Sequence, residues 1–377
     1  MDALFHAVRD GDINALQTFI DNGVDVNAPH ARFGHTPLML TVRHLDCLQL
    51  LIDANVDLDT QDALHRRTAL IWAVQIGSID CVKRLIDAHA NLELQDLYEC
   101  TAVFHAASRG RLECVQLLMD ANADIGVFYR KNMTPLMVTT LTGGAYVQRL
   151  LDDKADVNAV DAHGLSALIW AIRSGKSDCA HLLINAKARI EVQDLECGRT
   201  PLMWAATMGR IDCARLLIDA RAVVDAVDNN GRTALEWAAF DGRAECVELL
   251  INANANLNSK ARFFRTPLLS AVLFDYLKCV HLLIDAKADL EIRDENDGTA
   301  LSVAASHGHT KCAQLLTDAR ADIEAQDKDG RTALMLAACK GHAECVRLLV
   351  DVNTIIAQRP ERKRRRTDAS ASRDECH

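Results

Sequence analysis

Apolar residues return along this 377-residue chain in one phrase that recurs every 32 to 34 positions. Residues 194–227 show a single period. Thr200 and Pro201 precede Leu202, Ala205 and Ala206 at helical spacing, Gly209 interrupts, and Ala214, Leu217 and Ile218 trace a second apolar stripe. The spacing predicts two short amphipathic helices joined by a turn. Thr200 is placed to cap the first helix, with Pro201 where a missing N–H costs nothing. Asp212 falls in the first turn of the second helix, where the macrodipole favours an acid. An extended finger then runs to Asp228.

The phrase reopens at Thr36, Thr68, Thr101, Thr134, Ser166, Thr200, Thr233, Thr266, Thr299 and Thr332. A unit this small cannot bury its apolar side alone and must stack on its neighbours. The fold class expected is therefore all-α, a solenoid of helix–turn–helix–finger repeats.

Thr-Pro-Leu-x-x-Ala-Ala, then Gly-x-x-x-x-x-x-Leu-Leu, then Ala-Asp-x-x-x-x-Asp closely resembles the ankyrin repeat. The resemblance covers residues 2 to about 353 in eleven units, the first degenerate but with Leu4, Ala7, Gly11, Leu16, Gly23 and Asn27 in register. It implies a curved array whose finger tips and first helices line the concave side. The organisation expected is a capping repeat over 1–34, ten repeats over 35–353, and a disordered basic tail over 354–377.

This chain departs from the family pattern in two regular ways. The His fourth in Thr-Pro-Leu-His is replaced by Met39, Ile71, Phe104, Met137, Ile169, Met203, Glu236, Leu269, Ser302 and Met335. A polar link is lost, although Glu236 is suited to complete a capping box with Thr233. The Gly after the second helix survives as Gly23 and is elsewhere Asn55, His89, Asn122, Lys154, Lys187, Arg221, Asn254, Lys287 and Arg320. Such residues tolerate a left-handed turn at some cost, so the array should be less stable than a consensus one. Two units are irregular: one lacks two residues between its helices (Val42 to Cys47), and one carries Gly143-Gly144 with a deletion.

Composition refines this picture. Apolar residues make up 49% and aromatics only 5%, so small side chains must fill the core. Nine of thirteen cysteines (Cys47, Cys81, Cys114, Cys179, Cys213, Cys246, Cys279, Cys312, Cys345) share one repeat position, with Tyr146 in the missing slot. Stacked helices lie roughly 8–10 Å apart, too far for a disulfide. These should be free thiols serving as small hydrophobes, as in a reducing compartment. No Cys-x2-Cys pair supports zinc, and no metal or cofactor is expected.

Net charge is −10; residues 359–377 hold seven Lys/Arg against four acids, giving a tail of +3 and a body of −13. An acidic body argues against wholesale coating of nucleic acid. No basic region followed by a long apolar run opens the chain, and no run is long enough to cross a bilayer. An intracellular protein, cytoplasmic or nuclear, with no membrane partner is expected.

Catalytic motifs are not apparent. Gly175-Lys176-Ser177 lacks the upstream Gly of a phosphate loop and falls between helices. His307-Gly308-His309 and His342-Ala343-Glu344-Cys345 read as an inter-helix turn and a helix start. A non-enzymatic chain is expected.

The candidate binding residues lie on first helices and finger tips. Trp72, Trp170, Trp204 and Trp237 share one position, either packing against a neighbouring first helix or forming an aromatic strip facing the groove. Tyr98, Arg199, Arg232, Arg262, Phe263 and Arg265 mark a second stripe of arginines and aromatics, either solvated or suited to an acidic or phosphorylated peptide. A row of acids on the second helices, Asp53 to Asp351, reads as a solubility device. Arg362, Lys363, Arg364, Arg365 and Arg366 look like a nuclear-import signal that engages an import receptor, with nucleic-acid contact or a solvated tail as alternatives. The function expected is a scaffold or adaptor binding a protein segment on the concave face; the alternative is a nucleic-acid-associated regulator using the tail and basic tips.

Overall fold

A computed structural model describes residues 2–31, 34–124, 132–262 and 265–355. The chain divides into two compact units, Met1–Glu196 and Cys197–His377. Each is a stack of short helix pairs, so the molecule is an all-α solenoid of helical repeats. The first unit pairs Asp2–Asp10 with Ile13–Asp21, Ala69–Ile76 with Ile79–Asp87, Ala102–Ser108 with Leu112–Asp120, and Ala167–Arg173 with Ser177–Asn185. The second pairs Pro201–Met208 with Ile211–Asp219, Ala234–Phe240 with Ala244–Asn252, Pro267–Leu273 with Leu277–Asp285, and Ala300–His307 with Thr310–Asp318. An isolated β bridge joins Val160 and Ser166.

Within each unit first helices pack on first helices and second on second. Alanines permit the close approach: Ala205, Ala206, Ala238 and Ala239 are completely buried. The nine equivalent cysteines are buried free thiols, and burial pushes those of Cys246 and Cys279 up to about 11. Tyr146 instead donates its hydroxyl to the Gly110 carbonyl.

The capping threonines do what their position suggests. Thr68, Thr200, Thr233 and Thr266, for example, each accept the backbone N–H three residues on. Glu236 does not complete the box with Thr233: its Oε2 is buried without a hydrogen-bond partner. Methionine sulfur takes over in two other repeats, where Thr36 and Thr134 donate their N–H to Met39 Sδ and Met137 Sδ, both at 3.4 Å.

The inter-helix turns also lock neighbours together. The residue after the turn glycine reaches the preceding repeat's first helix, as when Arg243 Nε donates to the Thr207 carbonyl at 3.1 Å. Gly242 has φ +67, and a Cβ there would lie 2.7 Å from the Tyr276 ring, so both backbone and space require glycine. The residues replacing glycine after the second helices all sit in the left-handed region, from Asn55 at φ 55° to Arg320 at φ 70°. Both irregular units are visible: Pro37–Leu40 is a single turn continued by a 3-10 segment, Thr41–Arg43, and Gly143 alone separates Pro135–Thr142 from Gly144–Asp152.

Candidate partner-binding face

Several fingers are closed by an aspartate acting as a clasp. Asp228 Oδ1 accepts the N–H groups of Asn230 (2.7 Å) and Arg232 (2.9 Å), and its Oδ2 accepts the Trp237 indole N–H at 3.1 Å. Asp161 repeats the arrangement with His163, Leu165 and Trp170. Asp62 takes Trp72 Nε1 at 3.0 Å. The shared tryptophan position is thus a tether between finger and first helix, which satisfies the indole and fixes its rotamer.

The ring faces have a second use. In the second unit the Arg199 guanidinium lies 4.9 Å from the Trp204 ring and 3.6 Å from Trp237, while Arg232 lies 4.5 Å from Trp237 and 5.3 Å from Phe240. Phe240 then meets Phe274 edge-on at 4.9 Å, and Phe274 lies 6.0 Å from Tyr276. Arginines and aromatics form one continuous ladder on fingers and first helices. Stacking occupies the guanidinium faces and leaves their edges to donate in plane. The first unit has Arg67 over Trp72 at 5.3 Å, with His35 edge-on to the same indole at 5.4 Å, and Arg173 over Trp170 at 5.1 Å.

Charge along the ladder is lopsided. Glu236 is 1% exposed, and desolvation pushes its carboxyl up to about 8, so it is largely protonated near neutrality. Burial also pushes Asp241 up, against the pull of Arg243, Arg199 and Arg232. The next finger has Ala261 in place of the clasp aspartate. Arg262 is exposed and Arg265 half-buried. Farther on, a groove of about 510 Å³ carries Arg265, Lys328, Arg331 and Lys340 against Asp294, Glu295, Asp327 and Asp329. Arg331 is held there by Asp327 (2.9 Å) and Asp329 (2.7 Å).

The structure brings together Arg199, Trp204, Arg232 and Trp237, and adds Phe240, Phe274 and Tyr276, which the sequence reading did not single out. Trp72, Tyr98 and Trp170 belong to the first unit. Tyr98 packs with Met133 against Cys100, Phe104 and Val138. Phe263 and the basic residues Arg362, Lys363, Arg364, Arg365 and Arg366 lie outside the described residues. The acids closing the second helices, such as Asp53 and Asp219, are exposed. No described helix is long and apolar enough to cross a membrane.

The Thr101 repeat keeps the clasp but changes what it holds. Asp96 Oδ1 accepts the N–H groups of Tyr98 (2.8 Å) and Cys100 (3.1 Å), and Oδ2 meets His105 Nε2 at 2.9 Å. His105 stands at the tryptophan position. Donor atoms of Asp96, Cys100 and His105 all lie within 4.8 Å of one another, and all three residues are buried.

A search of curated proteins returns no match. The family model for ankyrin repeats (3 copies) matches residues 1–62, 44–129, 103–194, 188–261 and 268–360. With helix pairs, capped first helices and clasped fingers in the same phase along those stretches, the chain belongs to the ankyrin repeat family, typically non-enzymatic and generally a protein–protein interaction module.

Proposed function

We propose that this protein is a scaffold or adaptor whose second unit binds an acidic or phosphorylated segment of another protein along residues 199–276. The observation that carries the reading is the ladder of Trp204, Arg199, Trp237, Arg232, Phe240, Phe274 and Tyr276. Aromatic and arginine side chains dominate binding energy at protein interfaces, and stacked guanidiniums are pre-organised to fork onto carboxylate or phosphate. Protonated Glu236 leaves the charge of Arg232 beside that ladder less neutralised.

Selection from a displayed library of random 15-residue peptides tests the reading. Enriched peptides should carry clustered Asp or Glu beside an apolar residue, and Arg199→Ala with Arg232→Ala should weaken their binding at least tenfold. Arg→Lys at the same positions keeps the charge but loses the fork, and should recover only part of the affinity. Enrichment of neutral or basic peptides, or equal binding by all variants, defeats the proposal.

A second element rests on the sequence: Arg362 to Arg366 act as a nuclear-import signal. Replacing Lys363, Arg364, Arg365 and Arg366 by Ala should move a fluorescent fusion out of the nucleus. An unchanged distribution rejects it.

A further inference from the structure

We propose that Asp96, Cys100 and His105 form a buried three-donor site for a thiophilic divalent cation of the zinc class. In three tryptophan-bearing repeats the residue before the capping threonine is arginine and the residue four beyond it is tryptophan: Arg67 and Trp72, Arg199 and Trp204, Arg232 and Trp237. In the Thr101 repeat both change together, to Cys100 and His105, around an aspartate that stays. One exchange removes a fixed positive charge and supplies sulfur; the other replaces an indole, which only donates, by an imidazole, which can ligate. A carboxylate, a thiol and an imidazole are a zinc donor set.

The geometry is close to what ligation requires. Two backbone N–H groups anchor Asp96 through Oδ1, presenting Oδ2 to His105 Nε2 at 2.9 Å. Tetrahedral zinc with bonds of about 2.0–2.3 Å needs donors about 3.3–3.6 Å apart. The oxygen–nitrogen pair must open slightly, and the sulfur, within 4.8 Å of both, must close in. These are adjustments of side-chain torsions.

An outer shell is also present. The Gln75 amide lies 3.3 Å from His105 Nδ1. A metal on Nε2 moves the imidazole proton to Nδ1, where the Gln75 carbonyl accepts it once the amide turns over. The Cys100 thiol releases its proton to water as the sulfur–metal bond forms. Arg67 Nε, 3.6 Å from Asp96 Oδ2, is the competing cation. Its guanidinium already lies over the Trp72 ring and has that seat to withdraw to. The same geometry disfavours a cysteine nucleophile: with Nε2 on Asp96 and Nδ1 on Gln75, the imidazole has no nitrogen left to take the thiol proton.

The sequence reading looked for paired Cys-x2-Cys ligands, and this site has none. Its donors are spaced four and five residues apart and meet because the finger folds back on the first helix.

Cobalt(II) is the probe, added to reduced, chelator-stripped full-length protein. A single equivalent should produce a sulfur-to-cobalt charge-transfer band that zinc then bleaches, and zinc should raise the melting temperature. Cys100→Ser must abolish the band, whereas Cys339→Ser, altering an exposed thiol, must keep it. Cys100→Arg with His105→Trp copies the sister repeats, so it should stay folded while losing both band and zinc-dependent shift. Absence of the band in the wild type, or its persistence in Cys100→Ser, overturns the site.

Discussion

The Thr101 and Thr233 repeats use one frame for two kinds of chemistry. In both, an aspartate takes two finger N–H groups with one oxygen and a first-helix ring N–H with the other. In the Thr233 repeat that ring is a buried indole with two guanidiniums 3.6 and 4.5 Å from its centre, so its surroundings are aromatic and positive. In the Thr101 repeat the ring is an imidazole beside a thiol, buried with Tyr98 and Phe104. The clasp is indifferent to which ring it holds, so finger conformation and finger chemistry vary separately. That separation lets an array of nearly identical units carry different sites.

The largest expected effect tests whether the frame is shared. Asp228→Ala and Asp96→Ala each strand two finger N–H groups and one ring N–H, all charge-assisted bonds. Each should cost about 3–5 kcal/mol of local stability. Hydrogen exchange of the affected finger and first helix reads it directly, because a long array need not unfold in two states. A loss of 1 kcal/mol or less in either variant would show that the two fingers are held by different forces.

Much of this frame is legible in the sequence. The phase of Thr36 to Thr332, the caps, the nine buried cysteines and the left-handed turns all follow from short-range chemistry and recur in register. The clasp was also present, as an aspartate nine residues before Trp170, Trp237 and His105. It was hidden because the tryptophans were weighed only as packing or as strip, while their N–H groups needed a partner. The ladder was harder to see, since Arg199 stacks on Trp237 in the next repeat. An arginine before the capping threonine reads as solvated until the neighbouring ring is placed. Glu236 was expected to cap its helix, and burial beside Ser270 overrode that local preference.

Glu236 supplies the next effect, because the matching residue in the Thr101 repeat is Phe104. Its native carboxyl titrates at about 8 against an ordinary 4.5, so the folded state holds a proton the unfolded state releases. Its contribution is fully present below pH 4.5 and is lost as pH rises through about 8. The second unit should therefore weaken across that window, by on the order of 4–5 kcal/mol at its upper end. Desolvation is the main cause, with Asp228 adding to it and Arg232 and Arg265 opposing it. Glu236→Gln should flatten the profile and exceed the wild type in stability at pH 9, measured by tryptophan fluorescence in urea. A wild-type profile as flat as the variant's would mean the carboxyl is ionised in the native protein.

The smallest effect separates these two repeats from those that close the same turn on a long side chain. Both close their second helices on asparagine, Asn122 at φ 62° and Asn254 at φ 59°, whereas Lys187, Arg221, Lys287 and Arg320 hold the same left-handed turn at 66° to 70°. Asparagine enters that region at modest cost, but a long side chain meets the steric penalty of roughly 1–2 kcal/mol. Its attraction to the helix's negative end, about 0.3–1 kcal/mol, returns part of that. Lys187→Gly and Arg221→Gly should accordingly raise local stability by about 1 kcal/mol each. Asn122→Gly and Asn254→Gly should change it by a few tenths, and equally. Urea midpoints of the four variants check the ordering. A gain at the asparagines matching that at Lys187 and Arg221 would show that backbone strain is uniform along the chain, leaving the Thr101 and Thr233 repeats no better relaxed than their neighbours.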